Sequence, residues 1–176
     1  MKTNFILLAI LLIGVFSCSN DDSSEISNES QPNLTLNVNG VPEIILENVG
    51  GPVNGSNYEA GNTESAQIIA TNNSNDITVT INLVDNDIDT QAIQSGNTLS
   101  IDNTQSNNVY ATLTILDNTA LYEASSGTVS ISYYDLQSPN SNTIIISGSF
   151  NVTNGNNSAS GGTFSDIELI CSECGG

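Results

Sequence analysis

Apolar and polar residues alternate in short segments over most of the chain beyond residue 33, and Asn, Gly, Ser and Asp separate the segments. A period of two is typical of strands that bury one face, and the separating residues favour turns. Four segments show the pattern most regularly. Their apolar positions are Ile77, Val79, Ile81 and Leu83; Val109, Ala111, Leu113 and Ile115; Val129, Ile131 and Tyr133; and Ile144, Ile146, Phe150 and Val152, with Gly148 in phase. The alternation predicts Tyr133 in the core and Tyr134 on the outer face.

Less regular segments predict further strands, over residues 57–60, 66–71, 97–102, 120–124 and 162–170. In the last of these, Phe164 is out of phase with Ile167 and Leu169. A phase change inside a strand indicates a β-bulge, which we place near Ser165 and Asp166.

A hairpin is predicted near the start of this region. The alternation of Leu34, Leu36 and Val38 runs into Asn39-Gly40, a pair that accepts the positive φ angles of a tight turn. Pro42 would then begin the return strand, where a missing N–H costs little.

These segments amount to nine or ten strands. Beyond the first 17 residues no stretch has a convincing helical period, the nearest being residues 42–49. Strands joined by short turns form antiparallel sheets, so we expect an all-β protein, an antiparallel β-sandwich or barrel, as a single domain over residues 33–170.

The first 17 residues have a different pattern. The positive charge of Lys2 precedes an apolar run over residues 5–16, and about a dozen residues are too short for a hydrocarbon core of roughly 30 Å. This is the order of a secretory signal peptide. The run ends in Ser17-Cys18, which resembles the lipobox of bacterial lipoproteins, so we expect cleavage before Cys18 and lipid attachment to it. The alternative is ordinary cleavage that leaves a free thiol at Cys18.

Residues 18–32 are polar and rich in Ser and Asp, a composition that cannot repay the entropy of folding and predicts a flexible tether. The acidic run directly behind Cys18 also resembles the surface-export signal of Bacteroidetes lipoproteins. We therefore expect localisation to the outer membrane, with the domain displayed at the cell surface.

Charge composition narrows the classes of function. The chain has nineteen Asp and Glu, a single cationic side chain at Lys2 and no His, for a formal net charge of −18. Cleavage would remove Lys2. Without cations the domain cannot neutralise phosphates, which excludes nucleic acid as a partner and leaves the lipid as the only contact with a membrane. Missing His also removes Ser/His/Asp and His-ligated zinc chemistry.

Three segments rich in Gly and Ser or Thr follow one another in the last third: residues 127–131, 146–152 and 161–167, the last reading Gly-Gly-Thr-Phe-Ser-Asp-Ile. In this order they resemble the C-terminal half of a family of uncharacterised Bacteroidetes surface lipoproteins of the domain-of-unknown-function type. The likeness covers residues 110–169, with a weaker match at 34–41, and Ser158-Ala159-Ser160-Gly161 departs from the family pattern. The resemblance implies a β fold and an envelope location, and it implies no activity.

Asp85, Asp87 and Asp89 stand at alternate positions, the spacing by which a loop can surround a hard cation with oxygens. An EF-hand would need Gly at the sixth position and Glu at the twelfth, where this chain has Thr90 and Gly96. The alternatives are a solvated acidic turn and a calcium loop, and we expect weak Ca²⁺ binding at most, with no other cofactor.

The chain ends in Cys171-Ser172-Glu173-Cys174-Gly175-Gly176. No residues remain to form the helix that follows a redox-active CxxC, and a zinc site would lack a second pair of ligands. In an oxidising compartment the spacing favours a local disulfide between Cys171 and Cys174 that closes a tail over residues 171–176.

Three functions remain open. The first is a non-catalytic β domain that presents a surface at the envelope. The second is a glycan- or protein-binding module, with Ca²⁺ as a possible aid. The third is a glycoside hydrolase, whose mechanism needs only paired carboxylates. Because the chain has no Trp and few aromatic residues, which sugar-binding surfaces rely on, the sequence favours a protein without enzymatic activity.

Overall fold

The computed structural model describes residues 31–38, 43–55, 63–72, 76–118, 120–136, 142–154 and 159–171. Ten strands form the regular structure of these residues: β1 (Asn33–Val38), β2 (Ile44–Leu46), β3 (Asn48–Gly55), β4 (Glu64–Thr71), β5 (Ile77–Asp85), β6 (Thr98–Ser100), β7 (Val109–Asp117), β8 (Ala120–Leu136), β9 (Thr143–Asn154) and β10 (Ala159–Cys171). None of the described residues forms a helix long and apolar enough to cross a membrane.

Seven of the strands close into a ring in the order β3, β4, β5, β7, β8, β9, β10 and back to β3. Every neighbouring pair in the ring is antiparallel except β10 and β3, which pair in parallel through Leu169 to Cys171 and Gly51 to Val53. The all-β prediction is confirmed, and the closed ring makes the protein a β-barrel. Closure leaves the ring without exposed edges.

The remaining strands lie beside two long members of the ring. One edge of β10 pairs with β1 along its first half and with β3 near its end. Likewise, β8 pairs first with β7 and then, over Thr128 to Ser130, with β6. The hairpin of β1 and β2 is present as an antiparallel pair, whereas Asn39, Gly40 and Pro42 of its predicted turn lie outside the described residues.

The barrel interior follows the alternation in the sequence. Inward positions of β5, β7 and β9 are buried at every second residue, as predicted, and Gly148 lies in phase between Ile146 and Phe150. Phe164, Leu34 and Ile131 are among the largest side chains with almost no exposed surface. Burial of each such side chain stabilises the fold by about 1.5–3 kcal/mol, so the interior provides the main driving force for folding.

The bulge predicted in the last strand is confirmed. The register of β10 against β9 shifts between Phe164 and Ile167, so that both side chains are buried although they are three residues apart. Asp166 takes a positive φ of 53°, a conformation that Asp adopts more often than most non-Gly residues, and its Oδ1 accepts a hydrogen bond from the Ser147 hydroxyl of β9 at 3.4 Å.

The predicted orientation of the two adjacent tyrosines is wrong. Tyr133 is 43% exposed, and Tyr134 packs against the core. A second bulge is the cause, because the register of β8 against β9 shifts between Ile131 and Tyr133. The extra residue, Ser132, reverses the alternation for the rest of the strand.

Other predicted boundaries differ in smaller ways. Residues 66–71 lie in β4, 97–102 contain the short β6, and 120–124 begin β8. The segment with the nearest approach to helical spacing contains β2 and the start of β3. Strand β10 continues to Cys171, one residue beyond the predicted domain end, and residues 57–60 lie outside the described part of the chain.

Candidate functional site

One end of the barrel opens into a cavity of about 340 Å³, which we call the mouth. It lies where β5 begins and where β7 and β9 end. Its apolar lining is Leu36, Ile44, Ile77, Leu113, Ile115, Ala124 and Val152, and its polar lining is Asp117, Tyr122, Glu123, Asn154 and Ser160. A volume of this order is typical of small-ligand sites, and barrel mouths are among their usual places.

Strand alternation positions the side chains of the mouth. Ile115 and Asp117 follow Leu113 in the inward phase of β7, so the last inward residue of this strand is an acid. Ile77, the first inward residue of β5, is directly opposite Asp117. On the other side Tyr122 is opposite Ile115. An aliphatic interior therefore ends at a rim that carries a carboxylate and a phenol ring.

The polar groups of the rim are acidic or neutral. Asp117 is exposed and its Oδ1 accepts a hydrogen bond from Asn118 Nδ2 at 3.2 Å. Glu123 and Tyr122 are also exposed, and Tyr122 keeps 45% of its surface accessible. Since Lys2 is the only cationic side chain of the sequence, no Lys, Arg or His from the barrel can balance the charge of the rim.

The opposite end of the barrel holds a buried acidic pair. Glu64 at the start of β4 and Asp85 at the end of β5 are directly opposite each other, and their exposed fractions are 2% and 0%. Both lie in the inward phase of their strands. The Tyr134 hydroxyl donates a hydrogen bond to Glu64 Oε1, and Glu64 Oε2 is buried with no hydrogen-bond partner among the described residues.

This environment changes the ionisation of Glu64. Its pKa is raised to about 7 as the net result of three effects: burial raises it most, the hydrogen bond from Tyr134 lowers it, and the negative charge of Asp85 raises it. Desolvation is the largest of these effects because the charged form loses its hydration. Glu64 is therefore largely protonated below neutral pH.

Both carboxylate oxygens of Asp85 accept hydrogen bonds from residues of the turn that follows it. Its Oδ1 accepts from Asp87 N–H at 3.1 Å and from the Thr90 hydroxyl at 2.8 Å, and its Oδ2 accepts from Ala92 N–H at 2.7 Å. Asp87 in turn accepts from Asp89 N–H at 3.0 Å. These are the local bonds by which Asp organises tight turns.

The three acids of the predicted calcium loop lie in this turn. Asp85 points into the barrel end and Asp89 is exposed, and in the part of the chain that the structure describes no three His, Cys, Asp or Glu side chains form a group able to hold a metal ion. The spacing of Asp85, Asp87 and Asp89 is therefore used for turn formation, and weak Ca²⁺ binding stays a prediction.

A second acidic turn was not predicted. Asp102 accepts hydrogen bonds from the backbone and side chains of Thr104, Ser106 and Asn107, and the hydroxyl of Thr104 is the closest donor at 2.6 Å. The bond from Thr104 contributes most to holding the pKa of Asp102 well below its ordinary value. This network fixes the connection between β6 and β7.

The cysteines are described only in part. Cys171 is fully buried at the end of β10 and is disulfide-bonded. The other two cysteines, Cys18 and Cys174, lie outside the described residues. Pairing of Cys171 with Cys174 and lipid attachment at Cys18 therefore remain predictions.

The hydrolase hypothesis required two convergent carboxylates in a concave pocket. Glu64 and Asp85 do converge, but neither is among the lining residues of the mouth or of a second, shallower cavity on the outer face. A substrate in either described cavity would not reach them.

Neither the mouth nor the pair of Glu64 and Asp85 was identified from the sequence. The sequence does contain a signal for these acids. Glu64, Asp85 and Asp117 each stand two residues beyond the last inward apolar residue of their strand, in the same phase. An acid in the inward phase at a strand end indicates an end of the barrel, but the register that pairs Glu64 with Asp85 cannot be read from either strand alone.

Comparisons of the chain with protein-family models, with curated proteins and with solved structures found no match.

Proposed function

We propose that this protein is an outer-membrane lipoprotein, displayed at the cell surface, whose non-catalytic barrel binds a small apolar molecule in its mouth. The observation that carries the proposal is the open cavity of about 340 Å³ with an aliphatic lining. An apolar ligand would displace roughly ten waters from this volume, and the removal of apolar surface from water would favour binding.

The architecture supports a binding role. The ring of backbone hydrogen bonds is closed, so the walls of the mouth are held by rigid strands on most sides. Ile77, Ile115 and Val152 come from three different strands and converge on the same space. A preformed apolar site costs little conformational entropy when a ligand enters it.

A fluorescence titration tests the binding function. Nile red, a neutral apolar dye, should bind the full chain carrying Cys18→Ser, which lacks a lipid that would compete for the site. Ile77→Trp fills the mouth and should abolish the fluorescence increase. The matched control is Ile69→Trp on the outer face of β4, where Ile69 is 38% exposed, and this variant should bind the dye as the parent does. Equal binding by both Trp variants would contradict the proposal.

The anchor is supported by the signal-peptide pattern and by the Ser17-Cys18 junction. Globomycin, which inhibits the lipoprotein signal peptidase, should cause an unprocessed precursor to accumulate. Cys18→Ser should release the protein from the membrane fraction. A mature Cys18→Ser protein that stays in the membrane fraction would overturn the lipid anchor.

A second candidate is recognition of a glycan on the outer face. A shallow cavity of about 280 Å³ there contains a polar ladder in which Gln67 Nε2 donates to Asn82 Oδ1 at 2.7 Å and Asn82 Nδ2 donates to Thr112 Oγ1 at 3.0 Å. Planar amides and hydroxyls suit sugar hydroxyls, although the neighbouring Tyr110 is largely buried. Reproducible hits on a glycan array, with and without Ca²⁺, that Asn82→Ala removes would support this function.

A further inference from the structure

We infer that the mouth selects amphiphiles with a cationic head group, and this inference rests on the binding function proposed above. The apolar part of the ligand would contact Leu113, Ile115 and Val152. The head group would lie at the rim, against the carboxylate of Asp117 and the ring of Tyr122. Quaternary ammonium and alkylammonium compounds belong to this chemical class.

The geometry of the rim carries the argument. Asp117 is opposite Ala120, and Tyr122 is two residues farther along the same strand, on the same face. Diagonal neighbours of this kind lie about 7–8 Å apart, so one head group can contact both side chains. A carboxylate attracts an ammonium group by charge, and an exposed aromatic face attracts it through the ring quadrupole.

The same rim disfavours anionic ligands. A fatty acid or an alkyl sulfate would bring a negative charge next to Asp117 and Glu123, which both line the mouth. The barrel has no Lys, Arg or His to compensate, because the only cationic side chain of the sequence is Lys2. Desolvation of an anion without a partner is costly, so the sign of the head group decides affinity.

Competition against Nile red tests the selection. The probes are decyltrimethylammonium, decanol and decyl sulfate, which share one chain length, each kept below its micelle-forming concentration. At low ionic strength the ammonium compound should displace the dye at a concentration about tenfold lower than the sulfate does, with decanol between them. High salt should narrow the difference.

Two matched variants locate the effect. Asp117→Asn removes the carboxylate assigned to the head group, leaves Glu123 in place, and should bring the ammonium and sulfate affinities to within about threefold of each other. Asp135→Asn makes the same change in net charge at the opposite end of the barrel and should keep the tenfold preference. A preference that survives Asp117→Asn would show that Asp117 does not select the cationic head group, and this would overturn the inference.

The outcomes separate the two proposals. If Nile red binds, Ile77→Trp blocks it and the three probes compete equally, the binding function stands and the charge selection fails. If Nile red does not bind the folded parent, both fail. Circular dichroism of each variant, compared with the parent, shows whether the barrel is intact before binding is measured.

Discussion

Glu64 is almost completely buried, and its hydrogen bonds only partly replace the hydration that its carboxyl group loses. One oxygen accepts from Tyr134, the other has no partner among the described residues, and Asp85 lies opposite. A charged carboxylate in this position loses its hydration without gaining a cation. The protein therefore favours the protonated form, and Glu64 makes the stability of the barrel depend on pH.

We expect stability to fall as pH rises from about 4.5, the ordinary value, to about 7, the raised pKa of Glu64. In this range the unfolded chain releases the proton that folded Glu64 retains, so each step up in pH favours unfolding. Above both values the full cost, on the order of 3 kcal/mol, is present, and below both it vanishes. Glu64→Gln should remove this dependence.

Urea denaturation between pH 4 and pH 8.5 measures the effect as the difference in unfolding free energy between parent and Glu64→Gln. Glu168→Gln, an exposed carboxyl on β10, is the control and should follow the parent. Tyr134→Phe removes a bond that lowers the pKa and should extend the sloping range to higher pH. Parallel curves for parent and Glu64→Gln would contradict the assignment.

At the scale of elements, the pairing of β9 with β10 depends on two contacts between Gly and Phe. Gly148 is opposite Phe164, and Gly162 is opposite Phe150. A Cβ added at Gly148 would lie 2.2 Å from the carbonyl oxygen of Ser130 and 2.4 Å from Cζ of Phe164. Each aromatic ring thus covers the glycine opposite it, which is how strands accommodate large rings without losing register.

Gly148→Ala should destabilise the barrel by at least about 2 kcal/mol, because backbone and a buried ring must both move. Gly50→Ala on β3 is the matched control, since its added Cβ would meet nothing closer than the carbonyl oxygen of Glu168 at 3.7 Å. The urea midpoints of the two variants provide the comparison. An equal loss of stability in both would show that the contact with Phe164 does not constrain the strand.

Two of the three register shifts show why one irregularity is predictable from the sequence and the other is not. Around Ser165 and Asp166, apolar residues on both sides are out of phase, so the sequence itself records the extra residue. At Ser132 the next two residues are both tyrosines, and either could occupy the inward position. Only the register of β8 against β9 decides between them, and register depends on strands distant in sequence.

Register between distant strands also explains why the sequence did not predict the mouth or the pair of Glu64 and Asp85. Alternation within one strand predicted which side chains of β5, β7 and β9 face inward, because burial of apolar surface fixes that phase. It did not predict that Glu64 and Asp85 would be opposite each other, or that Asp117 and Tyr122 would share a rim. Those juxtapositions arise when the ring closes, which no single segment encodes.

For the molecule as a whole, the dominant electrostatic feature is charge of one sign. Nineteen acids and no cationic side chain beyond Lys2 mean that attraction between side chains cannot offset repulsion. Folding brings these charges closer together, so the compact state pays a larger repulsive energy than the unfolded chain. Counter-ions are the only available compensation, and ionic strength should therefore control the stability of the barrel.

We expect the melting temperature at pH 7 to rise on the order of 5 °C between 10 mM and 500 mM NaCl, as the screening length shrinks from about 30 Å to a few ångströms. At pH 4, where many carboxyls are protonated, the same increase in NaCl concentration should raise the melting temperature less. A flat response at pH 7 would show that the charges are too far apart to repel, despite their number.

A comparison of calcium with magnesium tests whether the turn at Asp85, Asp87 and Asp89 binds calcium specifically. Because the oxygens of Asp85 accept three hydrogen bonds from Asp87, Thr90 and Ala92, calcium at matched ionic strength should stabilise the protein only slightly more than magnesium does. The difference between the two melting temperatures measures this. A large excess for calcium that Asp87→Asn removes would show that the turn rearranges around the ion, since a specific site would need carboxylates that now hold the backbone.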